Sequence, residues 1–245
     1  MPVIYLATVL IELNRWGSRI PSVSMGEWIP RIREAGFDGL EVWENHVLDR
    51  PGDIKAVQSG GFPALLNTYL TFCDDDPARV DAVVNVITAL QSPAVKFNIN
   101  GGCSLDVHRK HLLAFAARLP DGCRMLCECH AGTPLEDVHT AETFLDSLPP
   151  ERFGAILHGF GEPGAVLARY RALRRHIAHI HIQTRTEDKT SGRFAANAKG
   201  LRDNGFTGAW SIEFTESSRN PDETVEMSFA HACEDLADLR NALKE

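Results

Sequence analysis

Eight short apolar or alternating runs recur along the chain, each bounded by Gly, Pro, Asp or Asn, and most are followed by a stretch of helical period. They are Val3–Leu10, Gly39–Trp43, Ala64–Leu70, Val95–Asn100, Arg124–His130, Gly154–Phe160, Ile177–Gln183 and Ala209–Thr215. The amphipathic segments between and after them are Met25–Ala35, Pro77–Leu90, Leu105–Leu119, Ala141–Leu148, Pro163–Arg175, Arg193–Asp203 and Asp222–Ala242. Strand and helix in repeated alternation imply parallel strands joined by right-handed crossovers. Spread over 245 residues, the eight runs average about 31 residues per unit, which matches a (β/α)8 TIM barrel. The expected organisation is a single such domain over residues 1–245. A doubly wound open sheet is the rival. Its Gly-rich turn is missing after the first strand, where the chain reads Ile11 to Gly17, and no phosphate-binding GxxxxGK[ST] occurs.

Local signals support the helix ends. Ser24 and Asp76 are N-cap candidates, Pro77 suits a first helical position, and Gly36 and Gly205 suit helix termination. Pro30 falls inside the first helix and predicts a kink. Leu48–Gly61 reads as loop with a short helix.

Composition narrows the function classes. With 44% hydrophobic and 24% charged residues the chain is globular rather than disordered. Its 25 basic and 33 acidic residues leave a net charge of −8, which works against a nucleic-acid partner. The first apolar run stops at Glu12, short of the roughly 20 residues that span a bilayer, and no basic leader precedes it. The expectation is a soluble cytoplasmic protein with no membrane partner, its homo-oligomerisation left open. Six cysteines at 73, 103, 123, 127, 129 and 233 form no CxxC pair and read as reduced, mostly buried thiols. On a strand, Cys127 and Cys129 share one face and Glu128 takes the other.

In such a barrel the chemistry collects at the C-terminal strand ends. Four ionisable residues stand there on successive strands: Glu128, His158, His181 and Glu213, at intervals of about one unit. Alternation directs them to the lumen, because Ile180, Ile182, Ile212 and Phe214 take the opposite face. Buried together, two carboxylates and two imidazoles need pairing or a cation. This mixed O/N set suits a divalent metal, with Mn²⁺ first and Zn²⁺, Co²⁺, Fe²⁺ or Mg²⁺ as alternatives. Lys96, Asn98, His130, Arg185 and Glu41 are the expected substrate-side residues, Lys96 being equally readable as a buried charge paired with Glu41. His179 is expected one layer deeper, in a structural hydrogen bond, and His108, His111, His139, His176 and His231 on the surface.

At these residues the chain resembles the xylose-isomerase-like TIM-barrel superfamily, which comprises sugar isomerases, epimerases and dehydratases related to endonuclease IV. The resemblance is carried by Ala35-Gly36-Phe37-Asp38-Gly39-Leu40-Glu41-Val42, Leu126-Cys127-Glu128 with Gly132-Thr133, Ile177-Ala178-His179-Ile180-His181 and Ser211-Ile212-Glu213. It implies that Glu128, His181 and Glu213 bind a divalent metal. The family's usual Asp at the end of the sixth strand is replaced by His158, with Gly161 three residues on. The implied activity is metal-dependent isomerisation or epimerisation of a sugar or sugar phosphate, by proton abstraction α to a carbonyl, with Glu128 and Glu213 as the acid/base pair. A dehydratase or lyase using the same chemistry and a non-catalytic metal-binding barrel are the alternatives. An endonuclease IV-like phosphodiesterase is disfavoured by the acidic charge and the single four-residue set.

Overall fold

The computed structural model describes residues 2–74 and 76–244. Eight parallel strands close into a barrel in sequence order: β1 (Ile4–Ala7), β2 (Gly39–Trp43), β3 (Ala64–Asn67), β4 (Ala94–Asn98), β5 (Arg124–Glu128), β6 (Phe153–His158), β7 (Ile177–Gln183) and β8 (Ala209–Phe214). Around them lie α1 (Met25–Glu34), α2 (Pro51–Gly60), α3 (Pro77–Leu90), α4 (Leu105–Ala116), α5 (Val138–Asp146), α6 (Pro163–Leu173), α7 (Thr186–Thr190), α8 (Arg193–Asp203) and α9 (Val225–Lys244). The (β/α)8 barrel expected from the repeat is therefore the observed fold. No helix among the described residues is long and apolar enough to cross a membrane.

The main core lies between the outward strand faces and the helices. Ile180, Ile182, Ile212, Val95, Phe97, Cys127 and Cys129 all belong to it, as alternation required, whereas Phe214, expected with them, packs in a separate cluster with Ala7, Val9 and Trp43, where the β7–β8 register shifts. The thiol pair flanking Glu128 thus packs among apolar side chains. Inside the barrel, Gly39 leaves room for Tyr5, since a methyl at position 39 would collide with the Tyr5 ring and the Pro63 carbonyl.

Several strands are shorter than their apolar runs. The first ends at Ala7, and Thr8–Ile11 turns into a 3₁₀ helix. At that point Thr8 Oγ1, rather than a backbone carbonyl, accepts the Trp43 N–H at 2.9 Å, so a side chain ends the ladder. The Leu48–Gly61 stretch after β2, read as loop with a short helix, holds the ten-residue α2, opened by Pro51 and closed by Gly61 at φ +65°. Asp76 caps α3 by accepting the Arg79 N–H at 3.0 Å. Ser24 occupies the N-cap position of α1, yet its hydroxyl donates to Asp53 instead. Pro30 lies inside α1 as expected, and the short α7 was not foreseen.

Two further expectations need correction. Cys73 and Cys103 are joined in a disulfide with Cα atoms 5.6 Å apart, so these two are not free thiols. The loops after β3 and β4 bring them together across 30 residues, a meeting that linear spacing does not display. His108 and His176 are buried rather than superficial. His108 packs beside Cys73 with Nε2 3.0 Å from the Asn100 carbonyl, and His176 Nε2 sits 3.0 Å from Asp146 Oδ1.

Candidate active site

The C-terminal ends of β4 to β8, with β2, direct a set of charged side chains to one point in the lumen. Their register is staggered, as closure of a tilted sheet requires. Glu128 pairs with Ile156, two residues before His158, whereas His158 pairs with His181 and His181 with Ser211, two before Glu213. The stagger lets residues at different ladder positions meet. One donor atom from each of Glu128, His158, His181 and Glu213 lies within 4.8 Å of all the others.

His181 is the centre of this cluster. Its Nε2 is 2.9 Å from Glu41 Oε2, and its Nδ1 is 2.9 Å from Glu128 Oε1 and 3.2 Å from Glu213 Oε2. Burial would lower its pKa, but the Glu41, Glu213 and Glu128 carboxylates outweigh that and raise it well above the ordinary imidazole range. His158 Nε2 reaches Glu128 Oε1 from the solvent side at 2.9 Å, its side chain 26% exposed. The rings of His130 and Phe160 stack on His158, at 5.7 and 4.6 Å between centroids.

Beneath this layer lies Lys96. Its ammonium is 2.9 Å from Glu213 Oε1, 3.0 Å from Glu128 Oε2 and 3.8 Å from Glu41 Oε1. Burial opposes its charge, but Glu128, Glu213 and Glu41 together push its pKa well above the usual lysine value. The carboxylates respond in kind. Despite burial, His181 and Lys96 draw Glu41 down to about 2, and Lys96 with the two imidazoles holds Glu128 well below the carboxylate range. Glu213 is lowered against burial by Lys96 and His181. His179 is one layer deeper, its Nε2 2.7 Å from Ser211 Oγ, which in turn donates to Glu41 Oε2 at 2.7 Å. Burial and the neighbouring His181 push His179 down to about 3, so it is neutral.

The residues assigned to the substrate side divide accordingly. Lys96 and Glu41 are buried in the charge network, with Glu41 bonded to His181 and Ser211. Asn98 and His130 are half-buried at the mouth, and Arg185 stands at the rim, 3.5 Å from Glu187. An aromatic wall was not anticipated. Trp43 Nε1 donates to the Tyr69 hydroxyl at 3.0 Å, and the exposed Trp16 leans on Phe214 at 5.2 Å between centroids. Its only sequence signal was the aromatic residue next to a strand end. A cavity of about 410 Å³ lies beside this wall, lined by Tyr69, Phe72, Arg79, His111 and Phe115 among others, outside the charged cluster.

The four-residue set fits a divalent cation. Neighbouring donor atoms are 2.9 to 3.2 Å apart, close to the roughly 3.3 Å between ligands of a four-coordinate ion with bonds of about 2 Å. The network contains three carboxylates and one ammonium, so two further positive charges balance it. Without a metal, His181 can supply only one of them, by carrying a proton on both nitrogens. With Nδ1 free for a metal, Nε2–H still donates to Glu41, which fixes the tautomer and ring orientation.

Comparisons with solved structures bear on the whole chain. It superposes on 3-keto-D-glucoside 4-epimerase from E. coli with a TM-score of 0.66 at 16% identity, covering 98% of this chain and 100% of that one. D-psicose 3-epimerase from Clostridium cellulolyticum H10, solved with D-tagatose, gives 0.69 at 13% identity, covering 98% and 99%. The IOLI protein, solved with a zinc atom, gives 0.66 at 15% identity and covers 98% of both chains. The chain has the fold of these proteins. Their shared fold is the (β/α)8 barrel expected from the sequence. No protein-family model and no curated protein sequence matches the chain.

Proposed function

We propose that the protein is a divalent-metal-dependent isomerase or epimerase of a sugar or sugar phosphate. The observation that carries this reading is the convergence of two ionised carboxylates and two imidazoles at the catalytic end of the barrel. Two of those neighbours are sugar epimerases, one of them solved with D-tagatose, and a third was solved with a zinc atom. They support the same substrate class and cofactor here.

Glu128, His158, His181 and Glu213 would hold the cation. When bound, it supplies Lewis acidity that stabilises negative charge developing on neighbouring substrate oxygens. The remaining work falls to the chain. Glu128 and Glu213 approach from strands three places apart, so one can remove the proton α to the carbonyl and the other return it. Lys96 and the neighbouring imidazoles hold both in the ionised form. His130 and Asn98, at the mouth, present polar groups to substrate hydroxyls, and Arg185 at the rim suits an anionic end. Phe214, next to Glu213 on β8, packs against Trp16.

A screen of ketoses, aldoses and their phosphates with metal-reconstituted protein in deuterated water tests the proposal. Deuterium uptake at the carbon next to a carbonyl is the expected result, lost in Glu128→Ala and Glu213→Ala. Full uptake in either variant would refute the acid/base assignment.

A further inference from the structure

We infer that Lys96 is a positioning residue that selects the cation, by leaving each ligand carboxylate only one oxygen to offer. The inference rests on the metal-centre reading given above. It comes from how the oxygens are divided. Glu128 Oε2 and Glu213 Oε1 face the Lys96 ammonium at 3.0 and 2.9 Å. The other oxygen of each, Glu128 Oε1 and Glu213 Oε2, faces His181 Nδ1 at 2.9 and 3.2 Å, and Glu128 Oε1 also faces His158 Nε2 at 2.9 Å.

Lys96 cannot readily leave this position. Its side chain is 4% exposed, it sits on β4 between the core residues Val95 and Phe97, and three carboxylates surround it. Both carboxylates are thereby held to single-oxygen ligation, and the other two donors are imidazole nitrogens. Four such donors suit a small ion of the zinc type. Ca²⁺ takes six to eight oxygens and often binds carboxylates through both, and Mn²⁺ favours oxygen-rich, higher-coordinate sites. The ammonium's charge repels every dication alike, so charge alone leaves the relative affinities unchanged. Blocking an oxygen penalises the ions that need more oxygens.

The test is a competition titration of chelator-stripped protein with Zn²⁺, Mn²⁺ and Ca²⁺, using wild type, Lys96→Met, Glu41→Gln and Lys96→Met/Glu41→Gln. The double variant has the same site charge as wild type and, with Glu41 neutral, one carboxylate fewer to leave unpaired, so it serves if Lys96→Met alone does not fold. The expected result is a fall of at least tenfold in the Zn²⁺/Mn²⁺ and Zn²⁺/Ca²⁺ affinity ratios, for Lys96→Met against wild type and for the double variant against Glu41→Gln. X-ray absorption of the Mn²⁺-loaded variants should show a higher oxygen coordination number. Equal changes for all three ions, or unchanged ratios, would overturn the inference while leaving the metal centre intact. Failure of wild type to bind any of the three stoichiometrically would remove the metal centre and this inference with it.

Discussion

Glu41 lies behind the cation-binding set, yet it holds the imidazole that must face the cation. Its Oε2 accepts from His181 Nε2 and from Ser211 Oγ, at 2.9 and 2.7 Å. Partners of this kind typically contribute 10- to 100-fold to metal affinity. Glu41→Gln should therefore weaken divalent-cation binding by about that factor in a chelator competition, and unchanged affinity would contradict the orienting role. Glu128→Gln and Glu213→Gln remove a proton acceptor while keeping size, and each should lower kcat about 10²- to 10⁴-fold with an unaltered circular dichroism spectrum. A loss smaller than threefold in both would count against acid/base roles. Strand parity made the lumen-facing residues legible, because alternation is a local property of the backbone. Of the partners, the pairing of Lys96 with Glu41 was read in advance, and the two lie 3.8 Å apart, but the closer contacts were not. Lys96 meets Glu213 across 117 residues, and His181 meets Glu41 across 140. Those meetings depend on barrel stagger, which the linear spacing does not contain.

At the scale of elements, the loop between β1 and α1 is pinned by one buried acid. Glu12 accepts hydrogen bonds from Ser22 N at 2.8 Å, Ser22 Oγ at 2.7 Å, Val23 N at 3.2 Å and His46 at 2.6 Å. His46 in turn meets Thr8 Oγ1 at 2.8 Å, which ties the loop to the ends of β1 and β2. Burial would raise the Glu12 pKa, but His46 and the Ser22 contacts outweigh it and hold it below the ordinary 4.5. A carboxyl lowered in the folded state contributes stability above its unfolded pKa and loses that contribution as pH falls through the folded value. Glu12→Gln should then be less stable than wild type at pH 7, with the gap closing as pH drops below about 4.5. Chemical denaturation across that range measures it, and a gap independent of pH would contradict the account.

The loops after β3 and β4 are joined differently, by the disulfide closing 30 residues. Cys73→Ser should lower stability by as much as about 3–4 kcal/mol in non-reducing urea titrations, and equal midpoints would argue that the bond contributes nothing. Strand and helix existence was readable from period, and β2, β7, α3 and α8 fall within the expected limits. Ends such as Ala7 were not, because side chains like Thr8 replace the ladder there. Disulfide pairing was hidden for the same reason as the lumen contacts: two loops far apart in sequence meet only once the barrel closes.

For the whole molecule, repetition was the strongest signal. Eight strand–helix units of similar length leave few topologies, and closure in sequence order is the one observed. Closure also explains the site. Parallel strands point all their C-terminal ends one way, so one charged residue per strand end is enough to assemble a cluster from segments spread over 173 residues, from Glu41 to Glu213. An outward core of Val, Ile, Leu and Phe holds the strands in that arrangement, and the charge network at the centre is stable because nearly every member has a partner of opposite sign. The departure at His158, where the resembled family places Asp, removes one negative charge, and Lys96 removes another from the reckoning.

Crystals soaked in Zn²⁺ or Mn²⁺ and measured at the metal's absorption edge test the central claim most directly. The account predicts one anomalous peak per chain, within bonding distance of Glu128 Oε1, His158 Nε2, His181 Nδ1 and Glu213 Oε2. A saturated soak showing no peak there, with the four side chains still hydrogen-bonded to one another, would contradict it.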